Sequence, residues 1–293
     1  MSDVRDARLS VFKTYKLYVG GTFPRSESGR VYEVTDSKHG AWLANAPLAS
    51  RKDARDAVVA ARKAVPRWSG ATAYNRGQVL YRVAEMLEGR REQFVREVVE
   101  TEGLSKSRAG AAVDAAVDRW VWYAGWTDKI AQVVGGANPV AGPYFNLSTP
   151  EPTGVVAVLA PQDSSFLGLV SVLAPVIATG NAAVVVASER APLPALSLGE
   201  VLATSDVPGG VVNVLSGRTA EIAAPLAAHQ DVNGIDLTGA DPALAAELEV
   251  EAASNLKRVL RPPASPVDWT ADPGTSRLTA WLETKTVWHP LGV

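Results

Sequence analysis

Residues 154–186, GVVAVLAPQDSSFLGLVSVLAPVIATGNAAVVV, contain three apolar segments separated by turns. Residues 155–159 and 183–186 predict buried strands, and residues 166–178 between them predict an apolar helix. The same alternation continues along the chain, where we predict a helix at 193–204, a strand at 211–215, a helix at 219–229 and a strand at 234–237. Uninterrupted apolar strands that alternate with helices are typical of a parallel sheet covered on both faces. We therefore predict an α/β fold of the Rossmann-like class.

The chain before this region is predicted to be mostly helical. Residues 15–48 predict a β-hairpin region, with strands at 16–19 and 31–34. Ser50 followed by Asp53 is typical of a capping box, and Pro66 is expected to end the helix that begins there. Further apolar stripes predict two helices within residues 73–103, a third helix at about 106–130, and then a Gly- and Pro-rich loop or exposed hairpin at 134–150.

The C-terminal part of the chain breaks the alternation. Residues 261–276, RPPASPVDWTADPGTS, contain four prolines and no periodicity, and we interpret them as a linker. A short helix at 277–282 and a strand at 285–288 are predicted to follow. The expected organisation is a main domain over residues 1–260, the linker, and a C-terminal segment over residues 277–293.

The composition excludes several functional classes. The 293 residues include no cysteine, so disulfides, cysteine-ligated zinc and thiol chemistry are excluded within them. The formal net charge is −2 with both signs interspersed, which argues against a nucleic-acid partner. His39, His229 and His289 have no metal-ligand spacing, so we expect no metal. The polar N-terminus lacks a signal peptide and the apolar segments are too short to cross a bilayer, so we expect a soluble, cytoplasmic protein.

Four segments resemble the cofactor domain of the aldehyde dehydrogenase superfamily, in that family's order. GVVAVLAP (154–161) resembles the strand before the family's Pro-Trp-Asn-Phe-Pro turn. GNAAVVVASERAP (180–192) resembles its Gly-Asn-x-Val-Val-x-Lys-Pro-Ser-Glu-x-x-Pro segment. VPGGVVNVLSG (207–217) resembles the strand that follows, and IDLTG (235–239) resembles the Ile-x-Phe-Thr-Gly-Ser that opens the pyrophosphate helix. Several motifs in the right order make the resemblance specific.

The resemblance covers most of the chain but has one large internal gap. KLYVGGTF (16–23) and residues 47–64 resemble the family's N-terminal hairpin and first helix, and WLETKTVW (281–288) resembles its C-terminal oligomerisation strand. In this family a catalytic domain with a nucleophilic cysteine would lie between Leu260 and Arg277, where only the proline-rich segment is present. The chain thus resembles a truncated, cysteine-less member, similar to the second module of family 16 aldehyde dehydrogenases.

The resemblance also implies an altered active site. The family's oxyanion-stabilising Asn corresponds to Asp163, where a carboxylate would repel developing negative charge, and the preceding Trp corresponds to Gln162. The family's cofactor-binding Lys corresponds to Val186. Asp241 is a favourable N-cap that places negative charge where a phosphate would lie, with Pro242 suited to the first helical position. Vestigial cofactor-binding positions remain, at Ser188, Glu189 and Gly239.

These observations favour a non-catalytic partner or stabilising subunit that requires no cofactor and binds NAD(P) weakly or not at all. We expect either a homo-oligomer or a hetero-oligomer with a full-length aldehyde dehydrogenase. The alternatives are an NAD(P)-binding oxidoreductase acting on aldehydes, or a non-functional remnant of an internal deletion. A hydrolase is disfavoured, because Ser164 and Ser165 are not surrounded by a Gly-x-Ser-x-Gly motif.

Overall fold

The structure, a computed structural model, describes residues 11–292. Its central element is a parallel sheet with the strand order β7-β6-β5-β8-β9. The strands are β5 (Val155–Leu159), β6 (Ala182–Val186), β7 (Val212–Leu215), β8 (Gly234–Asp236) and β9 (Arg258–Leu260). The predicted Rossmann-like fold class is confirmed, and the sheet gains one strand, β9, that the sequence analysis did not predict.

Helices cover both faces of this sheet. Every residue of β5, β6, β7 and β8 is therefore buried. The apolar side chains of one face pack with α6 (Leu167–Ala178) and α7 (Leu193–Ala203), and beyond these with α2 (Ala73–Glu88), α3 (Arg91–Glu102) and α4 (Lys106–Ala124). The other face packs against α1 (Arg51–Ser69), α8 (Thr219–Ala228) and α9 (Pro242–Ala252). The predicted helices are all present, with ends shifted by a few residues and the predicted helix at 106–130 split into α4 and α5 (Ile130–Val134).

Helix α1 begins as predicted and ends later than predicted. Ser50 accepts hydrogen bonds from the backbone of Lys52 and Asp53, and the Asp53 carboxylate accepts one from the Ser50 backbone, which completes the capping box. Pro66 lies inside the helix instead of ending it. A proline removes only its own N–H, and the Gly70 N–H still bonds to the Pro66 carbonyl at 3.1 Å, so the last turn persists.

The N-terminal hairpin differs from the prediction. Strand β1 (Val31–Thr35) pairs antiparallel with β2 (Trp42–Pro47) and not with residues 16–19. Tyr18 instead bonds to Val214 on the edge of the parallel sheet, with N···O distances of 3.0 and 2.6 Å. The open edge of β7 supplies these backbone partners, and Leu17 and Tyr18 become buried there.

A second, three-stranded sheet contains β3 (Gly136–Ala137), β4 (Tyr144–Pro152) and β10 (Leu282–Pro290), in the order β10-β4-β3. The C-terminal strand is therefore longer than the predicted residues 285–288, and the predicted helix at 277–282 shortens to α10 (Ser276–Thr279). Strand β10 pairs along its whole length with β4 of the same chain. Within residues 11–292 its other edge has no strand partner.

Candidate functional site

A cleft lies at the carboxyl ends of β5 and β8, where ligands bind in open parallel sheets. Its volume is about 570 Å³. Three stretches of chain line it: the turn after β5, the residues that lead from β8 into α9, and the proline-rich segment after β9. The cleft is thus walled on one side by the proline-rich segment predicted to be a linker.

The turn after β5 presents Asp163 to solvent. Its side chain is 94% exposed, and its nearest cation is the Arg190 guanidinium at 3.4 Å. The next residues anchor the turn, because the Ser165 hydroxyl donates to the Glu102 carboxylate at 2.7 Å and the Phe166 N–H donates to the same oxygen. Burial raises the pKa of Glu102, although these two donors oppose that shift. Asp163 therefore faces the cleft from a rigidly held backbone.

Gln162, which stands where the resembling family has Trp, links two turns of the site. Its amide oxygen accepts from the Glu189 N–H at 3.0 Å and from the Ser188 hydroxyl at 3.2 Å. Its amide nitrogen donates to the Ala160 carbonyl at 3.1 Å. Ser188 is fully buried by this arrangement, and its hydroxyl also accepts from the Ala191 N–H. The Ser188 hydroxyl is therefore used in hydrogen bonds that stabilise the turn after β6.

Both carboxylate oxygens of Glu189 have partners within the chain. One accepts from the Arg218 guanidinium at 2.6 Å, and the other accepts from the Thr219 N–H at 2.9 Å, at the first turn of α8. A carboxylate at a helix N-terminus is favoured by the helix dipole. Cofactor binding by Glu189 stays a prediction, and in this conformation the carboxylate would have to exchange these partners for a ribose hydroxyl.

Val186 belongs to the buried core, and Gly239 lines the cleft. Val186 is fully buried in the layer between the sheet and α8 and carries no donor. A Cβ at Gly239 would lie 2.0 Å from the Ala160 carbonyl oxygen. Only glycine therefore allows the chain after β8 to approach the end of β5 this closely. A structural requirement thus explains Gly239, and its predicted contact with a cofactor stays a prediction.

The side chain of Asp241 caps the N-terminus of helix α9, as predicted. Asp241 accepts from the N–H groups of Ala243 and Leu244 at 3.0 and 2.9 Å, and Pro242 occupies the first helical position. Two of the free N–H groups that could face a phosphate are therefore bonded to a carboxylate.

A buried ion pair at the end of β8 was not predicted. Asp236 is fully buried, and its carboxylate accepts from the Arg277 guanidinium at 2.7 Å and from the Thr238 N–H at 2.9 Å. Arg277 also donates to the Thr238 hydroxyl at 3.0 Å and lies over the Trp269 ring at 5.6 Å. An aspartate inside an otherwise apolar strand was the one sequence signal for this pair, because a buried carboxylate requires a partner.

The segment predicted as a linker is bonded to the body at both ends. It has no helix or strand before Ser276. Arg119 donates to the backbone carbonyls of Trp269 and Ala271 at 2.6 and 3.0 Å, and Arg261 pairs with Glu249 through two hydrogen bonds. Residues 262–269 consequently form a fixed wall of the cleft.

Other classes of site find no support in the described residues. Residues 11–292 contain no group of three or more His, Asp or Glu placed to hold a metal ion. Over the same residues, none of the helices combines the length and the apolar character needed to cross a bilayer.

Comparison with known proteins decides the family. A family model described as "Aldehyde dehydrogenase family" matches residues 23–261. The chain belongs to the aldehyde dehydrogenase family. This member is similar to retinal dehydrogenase 2 of Gallus gallus, with 32% identity over 253 residues, and to cytosolic 10-formyltetrahydrofolate dehydrogenase of Pongo abelii, with 31% identity over 252 residues. The family resemblance inferred from the four sequence segments is confirmed.

Solved aldehyde dehydrogenase structures share the fold of this family member. The NAD⁺ complex of an aldehyde dehydrogenase from Bacillus cereus matches with a TM-score of 0.80 and 26% identity, covering 84% of this chain and 50% of that one. HpcC from Thermus thermophilus matches with a TM-score of 0.80 and 27% identity, over 84% and 47% of the two chains. The chain also spans 48% of the retinal dehydrogenase and 28% of the formyltetrahydrofolate dehydrogenase. It is therefore a partial aldehyde dehydrogenase fold.

Proposed function

We propose that this aldehyde dehydrogenase family member is non-catalytic and acts as a partner or stabilising subunit in an oligomer. The observation that carries the proposal is the internal replacement between β9 and α10. There the chain has a proline-rich segment that lines the cleft and is bonded to α4 and α9, and it then continues into the paired strand β10. Because the replacement is internal, it does not depend on where the chain begins or ends.

The chemistry of the remaining groups supports this proposal. A thiolate nucleophile is absent from the 293 residues. Asp163 would place a carboxylate where the resembling family stabilises an oxyanion, and the negative charge would oppose that step. Arg190 lies 3.4 Å from Asp163, but both side chains are exposed, so solvent screens the pair.

The site also fits a dinucleotide poorly. Val186 offers no cation, the carboxylate of Glu189 is already bonded to Arg218 and Thr219, and Asp241 occupies the N-terminus of α9. The first feature removes a donor, the second occupies the acceptor for a ribose hydroxyl, and the third places negative charge where a phosphate would lie. We infer that NAD(P) binding is weak. The persistence of the cleft itself supports the alternative, an NAD(P)-binding oxidoreductase.

A dinucleotide titration tests these two alternatives. We expect NAD and NADP to bind with a millimolar or weaker Kd, about −4 kcal/mol or less favourable, and no aldehyde to be oxidised. Asp241→Ser together with Arg218→Ala should strengthen binding, because the first removes the negative charge at the N-terminus of α9 and the second releases one carboxylate oxygen of Glu189. The matched control is Asp118→Ser with Arg108→Ala, two exposed positions of α4. Micromolar binding by the unmodified chain, or turnover that persists after rigorous purification, would favour the oxidoreductase.

The sheet formed by β4 and β10 is the surface that supports the partner role. Tyr144 and Trp288 are 45% and 59% exposed on one face, and Phe145 and Val287 are each 46% exposed on the other. Exposed apolar groups beside an unpaired strand edge are typical of an association surface. The partner is a second copy of this chain or a full-length aldehyde dehydrogenase.

Charge substitutions on that surface should dissociate the oligomer. We expect the purified chain to be oligomeric, and Val287→Arg with Trp288→Arg to shift its mass by light scattering to that of a monomer. Both side chains are largely exposed, so the fold should survive, as circular dichroism can verify. Val59→Arg on α1, 57% exposed, is the matched control and should leave the mass unchanged. A double variant of unchanged mass would contradict the proposal. If the unmodified chain is monomeric alone, its mass is measured after mixing with a full-length aldehyde dehydrogenase, and the absence of a complex would contradict the proposal.

A further inference from the structure

An N-terminal arm, residues 11–15, lies against α3 and α7 on the side of the molecule opposite to the helices α8 and α9. The arm presents little apolar surface to the body, since Val11 is 92% and Phe12 is 64% exposed. Phe12 contacts Trp42 edge-to-face, with ring centroids 5.1 Å apart. The arm is held instead by polar contacts of Lys13 and Tyr15.

The ammonium of Lys13 is held by a ring of polar groups from both helices. It donates to the Ser197 hydroxyl at 2.7 Å and lies 3.0 Å from a carboxylate oxygen of Glu200 and 3.8 Å from one of Glu97. It also lies 4.6 Å from the centroid of the Tyr15 ring. A hydroxyl, two carboxylates and an aromatic face together are the groups that recognise an ammonium cation.

The groups around the ammonium are themselves buried and mutually bonded. Ser197 is fully buried, and its hydroxyl donates to Glu97 at 2.7 Å. The same Glu97 oxygen accepts from Gln93 and Tyr15 at 3.0 and 3.1 Å. Glu97 is 5% exposed, and its other carboxylate oxygen is buried without a hydrogen-bond partner. The ring is therefore preorganised and retains an unused acceptor.

Charge balance in this ring depends on Lys13. Arg90 bonds to the second oxygen of Glu200, so Arg90 and Lys13 together offset Glu97 and Glu200. Without the Lys13 ammonium, the cluster would contain one uncompensated carboxylate that is largely removed from water. An uncompensated buried charge is strongly unfavourable, so the vacated position would favour another cation.

The position is also accessible from solvent. Glu200, Leu196 and Phe23 line a cavity of about 250 Å³ on one side of the arm. A second cavity of about 310 Å³, lined by Phe12 and Trp42 among others, lies on the other side. A short alkyl chain can thus reach the ring without the helices separating.

We propose that Glu97, Ser197 and Glu200 form a binding site for a primary alkylammonium group, which the chain's own Lys13 occupies as an intramolecular ligand. The site is separate from the cleft at the carboxyl ends of β5 and β8 and does not depend on the function proposed for the chain. It accepts a lysine-like group, because the ammonium donates to the Ser197 hydroxyl and lies beside two carboxylates while its alkyl chain follows the path of the arm.

The test is chemical rescue of Lys13→Ala. This variant should unfold at a lower temperature than the unmodified chain, and n-butylammonium chloride, which matches the deleted side chain, should raise that temperature again. Tetramethylammonium chloride at the same concentration should not, because it has no N–H to donate. Burial raises the pKa of Glu97, so the rescue by n-butylammonium should strengthen as the pH is raised. Equal shifts with both salts would overturn the proposal.

Calorimetry on the same variant supplies the matched control. Lys13→Ala with Glu97→Gln should bind n-butylammonium at least about tenfold more weakly than Lys13→Ala alone, because it removes one of the two negative charges beside the ammonium. The unmodified chain, with Lys13 in place, should not bind it. Should Lys13→Ala be insoluble, its refolding yield is compared in the two salts. A higher yield with n-butylammonium supports the site, and equal yields or an unaffected double variant refute it.

Discussion

Replacing Arg277 by methionine is expected to lower the free energy of unfolding by about 3–5 kcal/mol, the range for removing one partner of a buried ion pair. The reason is that Asp236 is fully buried and Arg277 is its only cationic partner within hydrogen-bond distance among the described residues. The substitution also removes the bond to Thr238 and the contact with Trp269. Urea unfolding monitored by tryptophan fluorescence measures the change.

Two controls distinguish the loss of the pair from a general effect on the C-terminal segment. Adding Asp236→Asn to Arg277→Met should recover part of the loss, because the buried charge disappears while the Asn oxygen can still accept from Thr238. Arg258→Met removes the pair with Glu283, in which both side chains are about half exposed, and should cost no more than about 1 kcal/mol. A loss from Arg277→Met as small as that from Arg258→Met would show that the ion pair does not hold the segment.

Trp281→Ala is expected to cost about 3–5 kcal/mol, as large-to-small substitutions of buried aromatics do. The Trp281 side chain is fully buried and lies so close to Gly234 that a Cβ there would be 2.8 Å from its ring. The Trp281 carbonyl also accepts from the Asn181 side chain and from the Thr153 N–H. The residue thus joins the C-terminal segment to β8 and to the residues that precede β5 and β6.

Trp288→Ala is the matched control, since it deletes the same type of side chain from the same segment at a position where it is 59% exposed. We expect this substitution to lower the free energy of unfolding by no more than about 0.5 kcal/mol. The change is measured by urea unfolding under conditions that keep the chain monomeric. Similar losses for the two variants would mean that the burial of Trp281 does not stabilise the attachment of the C-terminal segment.

These two predictions concern the part of the chain that sequence analysis described least well. Residues 261–276 lack any periodicity, so the sequence predicts only a linker there. The predicted domain boundaries on either side of this segment stay a prediction. The attachments come from Arg119, Arg261 and Arg277, whose partners are distant in sequence. Arginines in a polar segment give no local sign of which carbonyl or carboxylate they will meet.

The sequence motifs were sufficient to identify the family. The segments at 154–161 and 180–192 identified the family without any structure, because their residues recur in a fixed order around one sheet. The same residues did not reveal how the site is used. Glu189 matches the family segment by sequence, while its carboxylate is bonded to Arg218 and to the Thr219 N–H. Only the positions of the atoms show that this carboxylate already has partners.

Local sequence signals were sufficient to predict four of the five strands of the parallel sheet, its covering helices and the N-caps at Ser50 and Asp241. Those features follow from periodicity, apolar runs and short-range side-chain chemistry, as at Ser50 and Asp241, which act on backbone groups within a few residues. Packing of the whole chain selected the pairing of Tyr18 with β7, of β10 with β4, and of Arg277 with Asp236. An extended strand or a charged side chain can meet many partners, and the partner it meets is the one that the packed core brings within hydrogen-bond distance.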